Sequence, residues 1–173
     1  MDSEKPAIHL IFCRVLYVVF TKIRREGLLS IEGDIEAPDD SDSVFSGYPE
    51  LKEYPQHFDF MLDLLRLLVN GYAELPHLTL FGDTARKSFL DSGGKDEALL
   101  DCIYSSIKAS CSGVLPSLAF EFGRQAIPYE YRPSFSEFED YVRSCGYADS
   151  KKMGEAVSRQ EIDTRIDEMF KNI

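Results

Sequence analysis

Apolar residues recur along most of this chain at helical spacing. Ile8, Phe12, Val15, Val19 and Ile23 fall three or four residues apart, and Leu16 and Phe20 widen the stripe. Lys22, Arg24 and Arg25 occupy the last turn, where cations offset the helix dipole, and Gly27 stands where a C′ glycine ends a helix. A second short helix is predicted over 28–36, before Pro38 and the acidic loop 38–42. Phe58, Met61, Leu62, Leu65, Leu68 and Val69 predict a helix over 58–70 that Gly71 stops.

Residues 82–95 carry Gly82, Gly93 and Gly94 and read as a loop or a weak helix. Helical spacing resumes with Leu99, Ile103 and Ile107 and ends near Gly113. Pro116 suits the first turn of a further helix through Phe122, closed before Pro128. Ser134 and Glu137 form a capping box, after which Phe135, Phe138, Val142 and Cys145 face one way until Gly146. A polar stretch over 149–152 precedes a last amphipathic helix carrying Ile162, Ile166, Met169, Phe170 and Ile173. There is no repeat of 20–50 residues and little strand-like alternation, so the expected fold is all-α. The expected division is a helical domain over 1–146, then a polar linker and amphipathic helix over 147–173.

Composition narrows the class. The chain has 173 residues, of which 44% are hydrophobic and 12% aromatic, enough to build a core and to exclude disorder of the whole. Lys and Arg number 19 against 30 Asp and Glu, a net charge of −11 that argues against general nucleic-acid binding. The longest apolar stretch, 7–20, is short of the roughly 20 residues a membrane span needs and contains His9 and Arg14. Asp2, Glu4 and Lys5 before it, and Arg14 within it, do not make a secretory signal. Cys13, Cys102, Cys111 and Cys145 form no C-x-x-C pair and read as ordinary buried thiols.

Catalytic patterns are missing. His9, His57 and His77 are scattered, and neither a zinc-protease helix motif nor a nucleophile elbow occurs. Ser92-Gly93-Gly94-Lys95 lacks the first glycine of a phosphate loop, and Asp96 stands where Ser or Thr would hold magnesium. Carboxylate pairs such as Asp34 with Glu36, or Asp39 with Asp40, read as a solvated acidic face. The expectation is a protein that is not an enzyme and has no cofactor or metal.

The distribution of charge is more specific. From Glu32 to Asp59 there are nine acids against the single base Lys52, so this stretch supplies −8 of the −11. Lys22, Arg24 and Arg25 lie directly before it. Such a step from plus to minus across a helix–glycine–helix corner suits the orientation of a charged protein partner. Dipole compensation and solubility are the plainer reading.

Two blocks resemble the stator-subunit family of the flagellar motor, the MotA/TolQ/ExbB group. The first runs from Arg24-Arg25-Glu26-Gly27-Leu28-Leu29-Ser30-Ile31-Glu32 through Asp34-Ile35-Glu36 and Pro38. It continues with Ser46-Gly47-Tyr48-Pro49 and Phe60-Met61-Leu62-Asp63-Leu64-Leu65-Arg66-Leu67-Leu68-Val69-Asn70-Gly71. The second contains Cys102-Ile103, Gly113, Pro116, Ala119-Phe120-Glu121-Phe122-Gly123-Arg124 and Arg132-Pro133-Ser134-Phe135, with Glu137 and Glu139. The blocks cover about 8–75 and 98–145 in the family's order, joined by a short linker over 76–97.

The resemblance implies that both blocks are the cytoplasmic regions of a stator subunit. It implies that Arg24 and Glu32 match the positions that engage the rotor protein FliG through complementary charge. Lys22, Arg25, Asp34 and Glu36 would then supply supporting charge, and Gly27 the corner. Arg124, Arg132 and Glu121 would tie the two blocks together. Other implied partners are further stator subunits, MotA and MotB, and the implied location is the cytoplasmic face of the inner membrane near the motor. A full stator subunit has four membrane helices. The first pair would precede residue 7, and the second would fall in 76–97, which is too short and too charged for two spans. Ion conduction by this chain alone is therefore not expected. The competing expectation is a regulatory or scaffold protein that binds a partner helix through the stripe from Ile162 to Ile173.

Overall fold

Helix α1, Ile8–Glu26, runs through the middle of the computed structural model, which describes residues 8–141. Its buried side chains are Ile11, Phe12, Cys13, Val15, Leu16, Val18, Val19 and Phe20, an apolar surface wider than one stripe. A helix so apolar must be enclosed on several sides. Helices α5 (Glu97–Cys111) and α6 (Pro116–Ala126) pack against it, as does the short 3₁₀ turn Leu28–Ile31. Every regular element among the described residues is helical, so the fold is all-α as the periodicity predicts.

The helix stops follow local chemistry. Gly27 has φ 93° and donates its N–H to the Ile23 carbonyl at 2.8 Å, turning the chain out of α1. The predicted second helix divides into the 3₁₀ turn and α2, Glu32–Glu36. Helix α3, Pro55–Val69, starts three residues earlier than expected, because Pro55 in the first turn has no needed donor to lose. It ends in a Schellman turn: Gly71 N–H donates to the Leu68 carbonyl at 2.9 Å, and Tyr72 N–H to that of Leu67 at 3.1 Å.

One expectation is corrected. The segment read as a linker is mostly helix α4, Leu75–Asp91, with Pro76 in its first turn and Gly93 just beyond its end. Gly82 does not break it. An added Cβ at Gly82 would sit 2.4 Å from a ring carbon of Tyr104, so this glycine lets α4 approach α5. The Tyr104 hydroxyl lies 3.0 Å from both the Thr79 carbonyl and Asp83 Oδ1. Burial and the Asp83 carboxylate push its pKa up to about 12. Arg86 of α4 adds a forked pair to Asp101 of α5, 2.7 Å from Nε to Oδ1, and a contact with Glu97.

The described residues close with α6, the turn Tyr129–Tyr131 and a helical stretch over 135–141. The capping box forms as read: Glu137 N–H donates to Ser134 Oγ at 3.3 Å, and Ser134 N–H donates to Glu137 Oε2 at 2.9 Å. Phe138 is fully buried against Phe120, Cys13 and Cys102, forming a second apolar cluster beside the main core. Val142, Cys145 and the amphipathic segment 162–173 lie outside the described residues.

Candidate interaction surface

The corner at the end of α1 is built from a buried ion pair and exposed charges. Lys22 Nζ lies 2.7 Å from Asp34 Oδ2, with side-chain exposures of 18% and 4%. The other carboxylate oxygen of Asp34 accepts the Val44 N–H at 2.9 Å. One acid thus ties α1, α2 and the loop over 38–48 together. Ile31 of the 3₁₀ turn, Ile35 of α2 and Phe45 of the loop are buried in the same apolar core. Lys22 and Asp34 therefore act as a brace, with Asp34 buried and Lys22 only partly exposed.

Arg24, Arg25 and Glu32 are exposed, and none enters an ion pair among the described residues. Gly27 lies between the two arginines and the acid, and its positive φ sets the angle between the segments that carry them. Glu36 is exposed and lies 3.8 Å from Arg66 of α3. Asp39 pairs with Lys52 at 2.6 Å, both side chains being well exposed. An open cleft of about 460 Å³ runs beside the corner, between Val18, Lys22 and Glu26 of α1 and residues 41–48. Its rim carries Glu26, Asp42 and the hydroxyls of Ser41 and Ser46.

Arg124, Arg132 and Glu121 were expected to join the two blocks, and the structure places them otherwise. Arg124 donates to Glu121 of its own helix at 2.6 Å and to the Pro133 carbonyl at 2.7 Å. Arg132 donates to the carbonyls of Ile127 at 2.9 Å and Gln125 at 2.6 Å. These groups fold the loop after α6 back onto that helix, inside the second block. Burial raises the Glu121 carboxyl, but the hydrogen bonds from Arg124 and Gln125 and the nearby guanidinium charges bring it below its ordinary value.

A polar cluster that brings α1 and α3 to the start of α5 lies at Asp96. This residue caps α5 from a left-handed conformation, φ 62°, its carboxylate accepting the Leu99 N–H at 3.1 Å. His9 Nε2 of α1 lies 3.4 Å from Asp96 Oδ1, a contact that becomes an ion pair only when the imidazole is protonated. His57 Nε2 of α3 lies 3.2 Å from the Asp96 carbonyl oxygen. No sequence motif marks this cluster, because its members lie far apart in the chain.

Burial lowers the His9 pKa below 6.5, and the opposing pull of Asp96 does not restore it. The unfolded chain then takes up the proton first, so the contribution of neutral His9 is complete above about pH 6.5 and is lost as pH falls through the folded-state value. Urea unfolding is expected to show stability declining from pH 7 towards pH 5, with a shallower decline in His9→Gln. Equal slopes in the two proteins would show that another group carries the effect.

Among the described residues no three metal-ligating side chains converge, and no helix is long and apolar enough to cross a membrane. No protein-family model matches the chain, and no solved structure does. The chain is similar to Motility protein A of Escherichia coli strain K12, at 23% identity over 211 aligned positions covering 80% of this chain and 71% of the relative. It is similar to Motility protein A of Salmonella typhimurium strain LT2, at 23% identity over 203 positions covering 75% and 68%. Both aligned stretches exceed the 173 residues of this chain, so the relatives carry intervening residues without counterparts here. The relationship is distant and MotA-like, in agreement with the resemblance of the two blocks.

Proposed function

From this MotA-like relationship we propose that the chain is a stator-like component of flagellar motility that binds a FliG-type rotor protein through its charged corner. The observation that carries the reading is the arrangement at Gly27. Exposed Arg24 and Arg25 end one helix, exposed Glu32 begins another, and the buried Lys22–Asp34 pair holds the two segments in a set relation. A rigid pair of opposite charges steers and orients a partner with the reverse pattern. The chain binds, competes or regulates at that surface and does not itself conduct ions or catalyse a reaction. Its place is the cytoplasmic side of the inner membrane near the motor, beside MotA- and MotB-type subunits.

The test is a titration of the charged C-terminal domain of FliG with the wild-type chain, Arg24→Glu and Glu32→Lys at several salt concentrations. Each reversal is expected to weaken binding roughly tenfold or more at low salt, with a smaller difference as screening increases. Thermal unfolding should be unchanged, since both side chains are exposed. Binding that is indifferent to both reversals would remove these residues from the contact.

A further inference from the structure

Two thiols far apart in the sequence meet in the second apolar cluster. Cys13 of α1 and Cys102 of α5 are fully buried, and their sulfurs lie 3.1 Å apart across 89 residues of sequence. Nothing intervenes between them. On the α6 side the neighbour is Gly123, where an added Cβ would lie 3.2 Å from Cys13 Sγ and 2.9 Å from the Cys102 carbonyl oxygen. Phe120 and Phe138 complete the enclosure. Cys111 lies partly buried at the end of α5 and has no such partner among the described residues.

We propose that Cys13 and Cys102 are an oxidisable dithiol that closes to an intramolecular disulfide, covalently joining α1 to α5. The sulfurs need to approach by about 1 Å to reach the bond length of roughly 2.05 Å. Helices already in contact can supply that by side-chain rotation and a small shift. The oxidant is a peroxide. One thiol, as its thiolate, attacks the peroxide and breaks the O–O bond, forming a sulfenic acid. The second thiolate attacks that sulfur and expels the sulfenic oxygen as water. Two thiols and one hydrogen peroxide thus become one disulfide and two waters.

The hydrogen bond to Cys13 and burial hold the Cys102 thiol well above its ordinary pKa, so that sulfur stays protonated in the folded protein. Oxidation follows transient opening of the layer formed by α6 and residues 135–141. It is therefore slow in the native protein, but the second step is fast, because the resolving thiol is already adjacent. The bond then stabilises the chain by constraining a long loop of the unfolded state.

The experiment uses the full chain with Cys111→Ser and Cys145→Ser, so that only the two buried thiols remain. The folded, reduced protein is treated with hydrogen peroxide, quenched, denatured, alkylated and digested for mass spectrometry. The expected product is a linked peptide pair containing Cys13 and Cys102 in most of the protein. The thermal midpoint should rise by roughly 4–16 °C and return to its reduced value with dithiothreitol. Recovery of both cysteines as alkylated thiols, as sulfinic acids or in dimers linked between chains would overturn the proposal. So would a linked product whose midpoint is unchanged or lower, since the bond would then not fit the native arrangement. If the double serine variant does not fold, the same peptide map on the wild-type chain decides, with Cys13–Cys102 expected as the dominant pair.

Discussion

Replacing Lys22 by methionine is expected to lower the stability of the fold by about 2–4 kcal/mol, read as a shift in the urea unfolding midpoint. The substitution keeps most of the side-chain volume and removes the charge. It leaves the Asp34 carboxylate 4% exposed, with the Val44 N–H as its remaining hydrogen-bond donor. An uncompensated buried charge usually costs about 3–5 kcal/mol, and the lower range here reflects the partial exposure of the lysine. The double variant Lys22→Met, Asp34→Leu should regain much of the loss, because it removes both charges together. A single variant within about 0.5 kcal/mol of wild type would show that the pair does not brace the corner. The contrast with Arg24→Glu is the useful part. One substitution in this helix end should affect folding, and its neighbour two positions on should affect partner binding alone.

Gly123→Ala is the second large effect, a loss of about 2–3 kcal/mol. An added Cβ would stand 2.2 Å from Ser106 Oγ and 2.9 Å from the Cys102 carbonyl oxygen. The hydroxyl can rotate away, but it already donates to that same carbonyl at 2.9 Å. The carbonyl belongs to the backbone of α5 and moves only if the helix moves. Helices α6 and α5 must separate, opening the layer over Phe120 and Phe138. The thermal midpoint should fall by roughly 4–12 °C for a chain of this size. Gly82→Ala should cost less, since there the obstacle is a side chain, the ring of Tyr104, and not the backbone of a packed helix. A Gly123→Ala protein as stable as wild type would mean that the α5–α6 contact relaxes freely.

Local physics wrote much of the helical framework into the chain in readable form. The stripe of α1, its termination at Gly27, the stop at Gly71, Pro116 at the start of α6 and the Ser134 capping box depend on residues within a few positions of one another. The same holds for the charge step from Arg24 to Glu32, and for the two blocks whose similarity to Motility protein A is recovered at 23% identity. Helix α4 was less legible, because only Leu78 and Gly82 are fully buried and its apolar face is thin. An interior glycine resembles a break until the ring that it accommodates is seen.

Tertiary structure alone decided which charges at the corner are buried in the fold and which stand in solvent. Asp34 and Glu32 are two positions apart and chemically alike in the sequence. One is buried against Lys22 and the other stands in solvent, because α2 turns one of them towards α1. The meeting of His9 and His57 at Asp96, and of Cys13 and Cys102 beneath Gly123, likewise depends on helices brought together across tens of residues. Sequence by itself determined most of the helices, several of their stops and the family likeness, since those rest on neighbours in the chain. The brace, the capped histidine cluster and the paired thiols were settled by packing, because hydrophobic burial drives helices together without leaving a local pattern for each contact.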